Sequence, residues 1–206
     1  NYKKLISNNL LINYSVCADY IINHSLIGNN SIRHNEYLDN FIDKCIIMNC
    51  KVIILPFLEK NEFTRDNFYK YELILKKLST KISKYNMIIC IETLLDAKNL
   101  KKFLMNINKD NIKCVYDTGN RAMLQNDLEF EINHLNNFIG HVHIKDKNLE
   151  GENVMLGKGN VNFTKAFESL KKINYSGPLV FETTRGSDPI ETASSNIQFC
   201  NNFLDS

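Results

Sequence analysis

The sequence has no apolar run approaching the ~20 residues that a membrane span needs, no clustered Lys/Arg face and no CxxC pair of cysteines. The first absence excludes a transmembrane helix, and an opening Asn-Tyr-Lys-Lys does not read as a signal peptide. The second excludes the electrostatic footprint of a nucleic-acid binder: 25 Lys and Arg face 23 Asp and Glu, a net charge of +2, with no basic stripe interleaved with aromatics. The third bears on Cys17, Cys45, Cys50, Cys90, Cys114 and Cys200, which lie mostly in apolar runs and read as small buried hydrophobes of a reducing, cytoplasmic protein. What is present is enough for a sizeable core: 206 residues, 44% of them hydrophobic, expected as a single domain over 1–206. The abundance of Asn, Ile and Lys is a compositional habit and carries no function.

The chain alternates short apolar runs with amphipathic ones. Leu10 to Ala18 reads as a strand buried on both faces, preceded by the tail of a helix. Glu36 to Met48 carries Leu38, Phe41, Ile42, Cys45 and Ile46 at helical spacing, and Lys51 to Leu55 is a strand ended by Pro56. A long helix follows, with Thr64 as its cap and Phe68, Leu73, Ile74 and Leu78 inside. Strands Met87–Glu92 and Ile112–Asp117 flank a helix capped by Asp96. A helix over Asp127 to Leu135 leads to the strand Phe138–Lys145. A helix over Asn162 to Ile173 precedes the last strand, Leu179–Glu182, and Asp188-Pro189 opens the closing helix.

Strict strand–helix alternation with doubly buried strands implies a parallel sheet, either a (β/α)8 barrel or an open doubly wound sheet. Glu92, Asp117, His143 and Glu182 each stand at or near the C-terminal end of a different strand. A barrel brings four such ends to one centre, where barrel enzymes place their chemistry, and is therefore favoured. Six units are counted where a barrel needs eight, so the expectation is a TIM barrel truncated at its N-terminus to about six βα units, strands three to eight.

Alternation along the extended run His141-Val142-His143-Ile144-Lys145 sends both imidazoles and the ammonium to one face. Polar groups there are costly without a partner. Two glutamates, an aspartate and a histidine form a mixed oxygen and nitrogen set suited to a divalent cation. Each residue alone has a plainer reading: Glu92 as a loop cap, Asp117 in Asp-Thr-Gly-Asn as a turn, His143 as a core histidine, Glu182 as a partner of Arg185. Their coincidence at equivalent strand ends favours the metal.

The segments IETLLDA, VYDTGN, GHVHIKD, LGKGNVNF and GPLVFETTRG resemble the sugar phosphate isomerase/epimerase superfamily, the xylose isomerase-like TIM barrels of the AP endonuclease 2 type. The early SVCADY is similar to the third strand of members related to hexulose-phosphate isomerases and ribulose-phosphate 3-epimerases. The resemblance implies a metal-dependent isomerase or epimerase of a ketose or ketose phosphate in carbohydrate metabolism, using one divalent ion (Mn, Co, Zn or Mg). It implies Glu92, Asp117, His143 and Glu182 as ligands, with Glu92 and Glu182 also the catalytic acid/base pair. The ion would bind the ketose carbonyl and a neighbouring hydroxyl, acidify the intervening C–H and stabilise an enediolate. One glutamate removes the proton and the other returns one.

Softer assignments follow as substrate-binding residues: Asn120, where relatives often have histidine; His141, beside substrate or behind a ligand; Lys145; Lys158 in Gly157-Lys158-Gly159; and Arg185. The last two lie in loops where barrels commonly hold phosphate. Lys145 and Asp146 could pair with each other or meet substrate oxygens. The expected partner is a small sugar or sugar phosphate, with no nucleic acid and no membrane, in a monomer or homo-oligomer. An inosose-type dehydratase or lyase on the same barrel, or an inactive barrel fragment, is the alternative. An endonuclease IV-like nuclease is disfavoured, because only five histidines are available.

Overall fold

Val52-Ile-Ile-Leu-Pro56 is buried at every position, and so is most of each of three later strands, which is what a parallel strand covered on both faces requires. In the computed structural model, which describes residues 12–204, the parallel strands are β1 (Ser15–Cys17), β2 (Val52–Pro56), β3 (Ile88–Glu92), β4 (Ile112–Asp117), β5 (Ile139–Ile144) and β8 (Leu179–Phe181). An antiparallel pair, β6 (Asp146–Lys147) and β7 (Asn153–Val154), lies between the last two. The helices are α1 (Ser31–Ile47), α2 (Phe68–Ile82), α3 (Ala97–Ile107), α4 (Thr118–Met123), α5 (Leu128–Leu135), α6 (Phe163–Lys172) and α7 (Pro189–Leu204). No helix among the described residues is long and apolar enough to cross a membrane.

The chain divides into two compact units, Asn1–Cys114 and Val115–Ser206. In the first, β1 pairs with β2 from Ser15 opposite Val52, β2 with β3 from Val52 opposite Ile88, and β3 with β4 from Ile89 opposite Ile112. Leu38, Ile42 and Cys45 of α1 and Tyr71, Leu75, Leu78 and Ile82 of α2 are buried. Phe57 stacks on Phe63 at 4.9 Å between ring centroids, and Phe103 meets Phe63 edge-on at 4.7 Å. In the second unit β5 pairs with β8, Val142 opposite Leu179, and α6 and α7 meet through Phe163, Phe167, Phe199 and Phe203. Local signals set the helix starts: Asp96, Asp127, Asn162 and Asp188 each accept a backbone N–H from the first turn.

Several expectations shift. Of the strand expected over Leu10 to Ala18, the described residues form Ser15–Cys17, which is half-buried; Leu10, Leu11 and the preceding helix tail lie outside the described residues. Helix α1 begins at Ser31 rather than Glu36. Thr64 does not cap α2; its own N–H donates to Asn67 Oδ1 at 2.8 Å, and Asn67 is the residue before the helix. Leu73 is exposed, because the buried stripe of α2 runs through Tyr71, Leu75 and Leu78. Pro56 ends β2 from within, opposite Glu92, where a missing N–H leaves the ladder intact and Phe57 N–H bonds Glu92 O at 2.8 Å. All six cysteines are free thiols, five of them buried.

Candidate metal centre

Three strand ends of the second unit deliver the candidate ligands. Asp117 closes β4 and also caps α4, its Oδ1 accepting the Asn120 N–H at 2.8 Å. This double duty fixes the carboxylate and leaves Oδ2 as its other acceptor. His143 lies near the end of β5, and Glu182 directly follows β8, with its N–H bonded to Ile144 O at 3.1 Å. His143 Nδ1 stands 2.8 Å from Glu182 Oε2 and 3.7 Å from Asp117 Oδ2. Each of the three residues offers a ligand atom within 4.8 Å of the others, a spacing that could hold a metal ion.

Lys145 enters the same cluster. Its Nζ is 3.1 Å from Asp117 Oδ2 and 2.9 Å from Glu182 Oε2, and its side chain is only 7% exposed. Thr118 anchors its backbone: the hydroxyl donates to Lys145 O at 2.6 Å and accepts the Lys145 N–H at 3.0 Å. Gly119 permits this approach, since a Cβ there would come within 2.8 Å of Lys145 Cγ. Burial works against the Lys145 charge, but Asp117 and Glu182 together outweigh it, and its pKa rises above the ordinary lysine value. Burial alone would raise Glu182. The hydrogen bonds from His143 and Lys145, with their charges, overcome it and draw that carboxyl down to about 2.

His141 is wholly buried, edge-on to His143 with ring centroids 5.2 Å apart. Neither of its ring nitrogens has a hydrogen-bond partner among the described residues. Burial, and then the nearby His143, push its pKa down to about 4, so the ring is neutral at pH 7. Glu92 closes β3 in the first unit and is 8% exposed.

The remaining assignments separate. Asn120 is half-buried in α4 and uses its backbone N–H on Asp117. Lys158 and Arg185 are exposed loop residues. Glu182 takes Lys145 and His143 as its partners, not the Arg185 considered from sequence. Asp146 pairs neither with Lys145 nor with solvent. Wholly buried, it accepts the backbone N–H groups of Gly157, Gly159 and Val161 at 2.8–3.1 Å. The loop considered for phosphate thus turns two of its amides, Gly157 and Gly159, onto a carboxylate of the chain itself, while the Lys158 N–H bonds Met155 O at 3.0 Å. No short window of sequence contains this bond, because its partners lie 11 to 15 residues apart.

An L-ribulose-5-phosphate 3-epimerase of Salmonella paratyphi A is 39% identical over 67 residues, 32% of this chain and 24% of its own. The alignments with the first curated relatives take in a third or less of those proteins' length. A crystal structure of D-psicose 3-epimerase in the presence of D-fructose superposes with a TM-score of 0.81 at 15% identity, covering 98% of this chain and 81% of that one. An IOLI protein with a bound zinc atom superposes at 0.76 with 17% identity, covering 98% and 80%. The sequence pattern of the xylose isomerase-like TIM barrel matches residues 8–203, and the chain belongs to that family.

Proposed function

We propose that this chain is a divalent-metal-dependent epimerase or isomerase of a ketose or ketose phosphate, acting by proton transfer through an enediolate. The observation that carries the reading is the convergence of Asp117 Oδ2, His143 Nδ1 and Glu182 Oε2 at the C-terminal ends of three strands. Two carboxylates and an imidazole are a donor set suited to such an ion. Glu92, the buried carboxylate at the end of β3, is proposed as the fourth ligand. Relatives named as an L-ribulose-5-phosphate 3-epimerase and a D-psicose 3-epimerase, and one named with a bound zinc atom, support the reaction class and the cofactor.

When bound, the ion supplies Lewis acidity that polarises a ketose carbonyl and acidifies the neighbouring C–H. The chain's residues do the rest. Glu182 is half-exposed and ionised, so it can meet a substrate carbon and accept its proton, and Glu92 returns a proton to the enediolate. Return on the opposite face gives epimerisation; return at the adjacent carbon gives isomerisation. Lys145 and Asn120 are proposed to hold substrate oxygens. His141, packed edge-on against His143, is proposed to steady that ring. Arg185 and Lys158 are the loop cations available to a phosphate.

The test is a panel of ketoses and ketose phosphates incubated in D₂O with Mn²⁺-loaded protein, followed by NMR. Deuterium is expected at a carbon next to the carbonyl of at least one sugar; Glu182→Gln abolishes the exchange, and Glu92→Gln abolishes net conversion to the product sugar. No exchange with any sugar in protein shown to contain metal overturns the proposal.

A further inference from the structure

We propose that Lys145 is a resident counter-cation of this centre, which a divalent ion must displace from Asp117 and Glu182 in order to bind. The inference rests on the metal reading above and deepens it. Lys145 Nζ lies about equally far from Asp117 Oδ2, 3.1 Å, and Glu182 Oε2, 2.9 Å. These are the same two oxygens that face His143 Nδ1. Asp117 has little else to offer, since its Oδ1 accepts the Asn120 N–H.

A divalent ion held by Asp117 and Glu182 would take up the same oxygen lone pairs that Lys145 Nζ now faces. An ammonium about 3 Å from the same atoms would then lie within a few ångströms of a doubly charged ion, in a buried setting where screening by solvent is weak. The two cations cannot share the oxygens without strong repulsion. Nor can the lysine retreat as a whole. Thr118 holds its backbone through two hydrogen bonds, and Gly119 lies against its Cβ and Cγ. What remains free to turn is the outer stem and Nζ. Metal entry is therefore coupled to a swing of the lysine head off the carboxylates.

The fold gives this coupling a use. Without a metal, the ammonium neutralises carboxylates that would otherwise repel each other. With one, the freed head stays tethered beside the centre, where a substrate oxygen carrying developing negative charge needs a donor.

The test compares Mn²⁺ binding to wild type and Lys145→Met by isothermal titration. Removal of the competing charge is expected to tighten binding at least tenfold, whereas Lys145→Arg, which keeps the charge, binds no more tightly than wild type. A second measurement needs no uncharged variant. In wild-type protein with ¹³Cε-labelled lysine, the resonance absent from Lys145→Arg should shift when Zn²⁺ saturates the site. Equal or weaker Mn²⁺ binding by Lys145→Met, or a resonance that Zn²⁺ leaves unmoved, overturns the inference while leaving the metal reading intact. Failure of both wild type and Lys145→Met to bind Mn²⁺ removes the metal reading, and this inference with it.

Discussion

His141 makes the fold sensitive to acid, and the size of the effect follows from its surroundings. The ring is wholly buried and lies against His143, which together hold its pKa at about 4, against 6.5 for the free side chain. As pH falls below 6.5 the unfolded chain takes up a proton that the folded chain refuses. Stability is therefore fully present above 6.5 and drains away as pH descends towards 4. The interval from 6.5 to about 4 corresponds to about 3 kcal/mol, a large part of an ordinary domain's total. His141→Leu removes the titrating ring and keeps an apolar side chain of similar bulk. Urea denaturation of both proteins from pH 7 to pH 4.5, with chelator present so that proton-linked metal binding does not contribute, should show wild type losing about 2–3 kcal/mol more than the variant. Parallel pH profiles would refute the reasoning, because acid loss would then come from groups the two proteins share.

Two further outcomes concern buried polar groups of the second unit. Asp146→Ala strands the Gly157, Gly159 and Val161 N–H groups and should cost about 3–5 kcal/mol by urea denaturation, with faster amide exchange at those three positions; unchanged exchange there counts against the bonds described. Arg121 and Glu131 form a buried pair at 3.4 Å, with Tyr116 also donating to Glu131, so Arg121→Met alone should cost about 3–5 kcal/mol, and adding Glu131→Gln should recover more than half of it. A single variant within 1 kcal/mol of wild type would show that the pair is not what holds α4 and α5 together.

What was legible in the sequence follows how far apart the interacting residues lie. The caps at Asp96, Asp127, Asn162 and Asp188 bond residues two or three positions away, so a window of a few residues contains the whole interaction. Strands β2 to β5 were legible because burial on both faces demands an unbroken apolar run. Helix α4 was not: Asp117-Thr-Gly-Asn reads as a turn, and only the approach of Lys145 explains the glycine inside a helix. Asn61 was overlooked for the same reason. It is wholly buried, accepts the Leu26 N–H at 2.7 Å and the Tyr71 hydroxyl at 3.2 Å, and donates to His24 O at 3.1 Å, partners 10 to 37 residues distant.

Lys145 and Asp146 are adjacent in the chain, and strand alternation separates their partners. Adjacency allows a pair between them or contact with substrate oxygens, yet neighbours on an extended chain point to opposite faces. The alternation that put His141, His143 and Lys145 together therefore had to send Asp146 the other way. The structure does this: Lys145 meets Asp117 and Glu182, and Asp146 meets the amides of Gly157, Gly159 and Val161. One dipeptide thus supplies a charge to the candidate centre on one side and fixes a neighbouring loop on the other. A charge swap follows as a discriminating case. In Lys145→Asp/Asp146→Lys, an ion pair between neighbours would survive the exchange, whereas opposed facing brings three carboxylates together on one side and an ammonium against three N–H donors on the other. Loss of cooperative unfolding in the double variant is the expected result, and near-wild-type stability would return the two residues to a simple local pair.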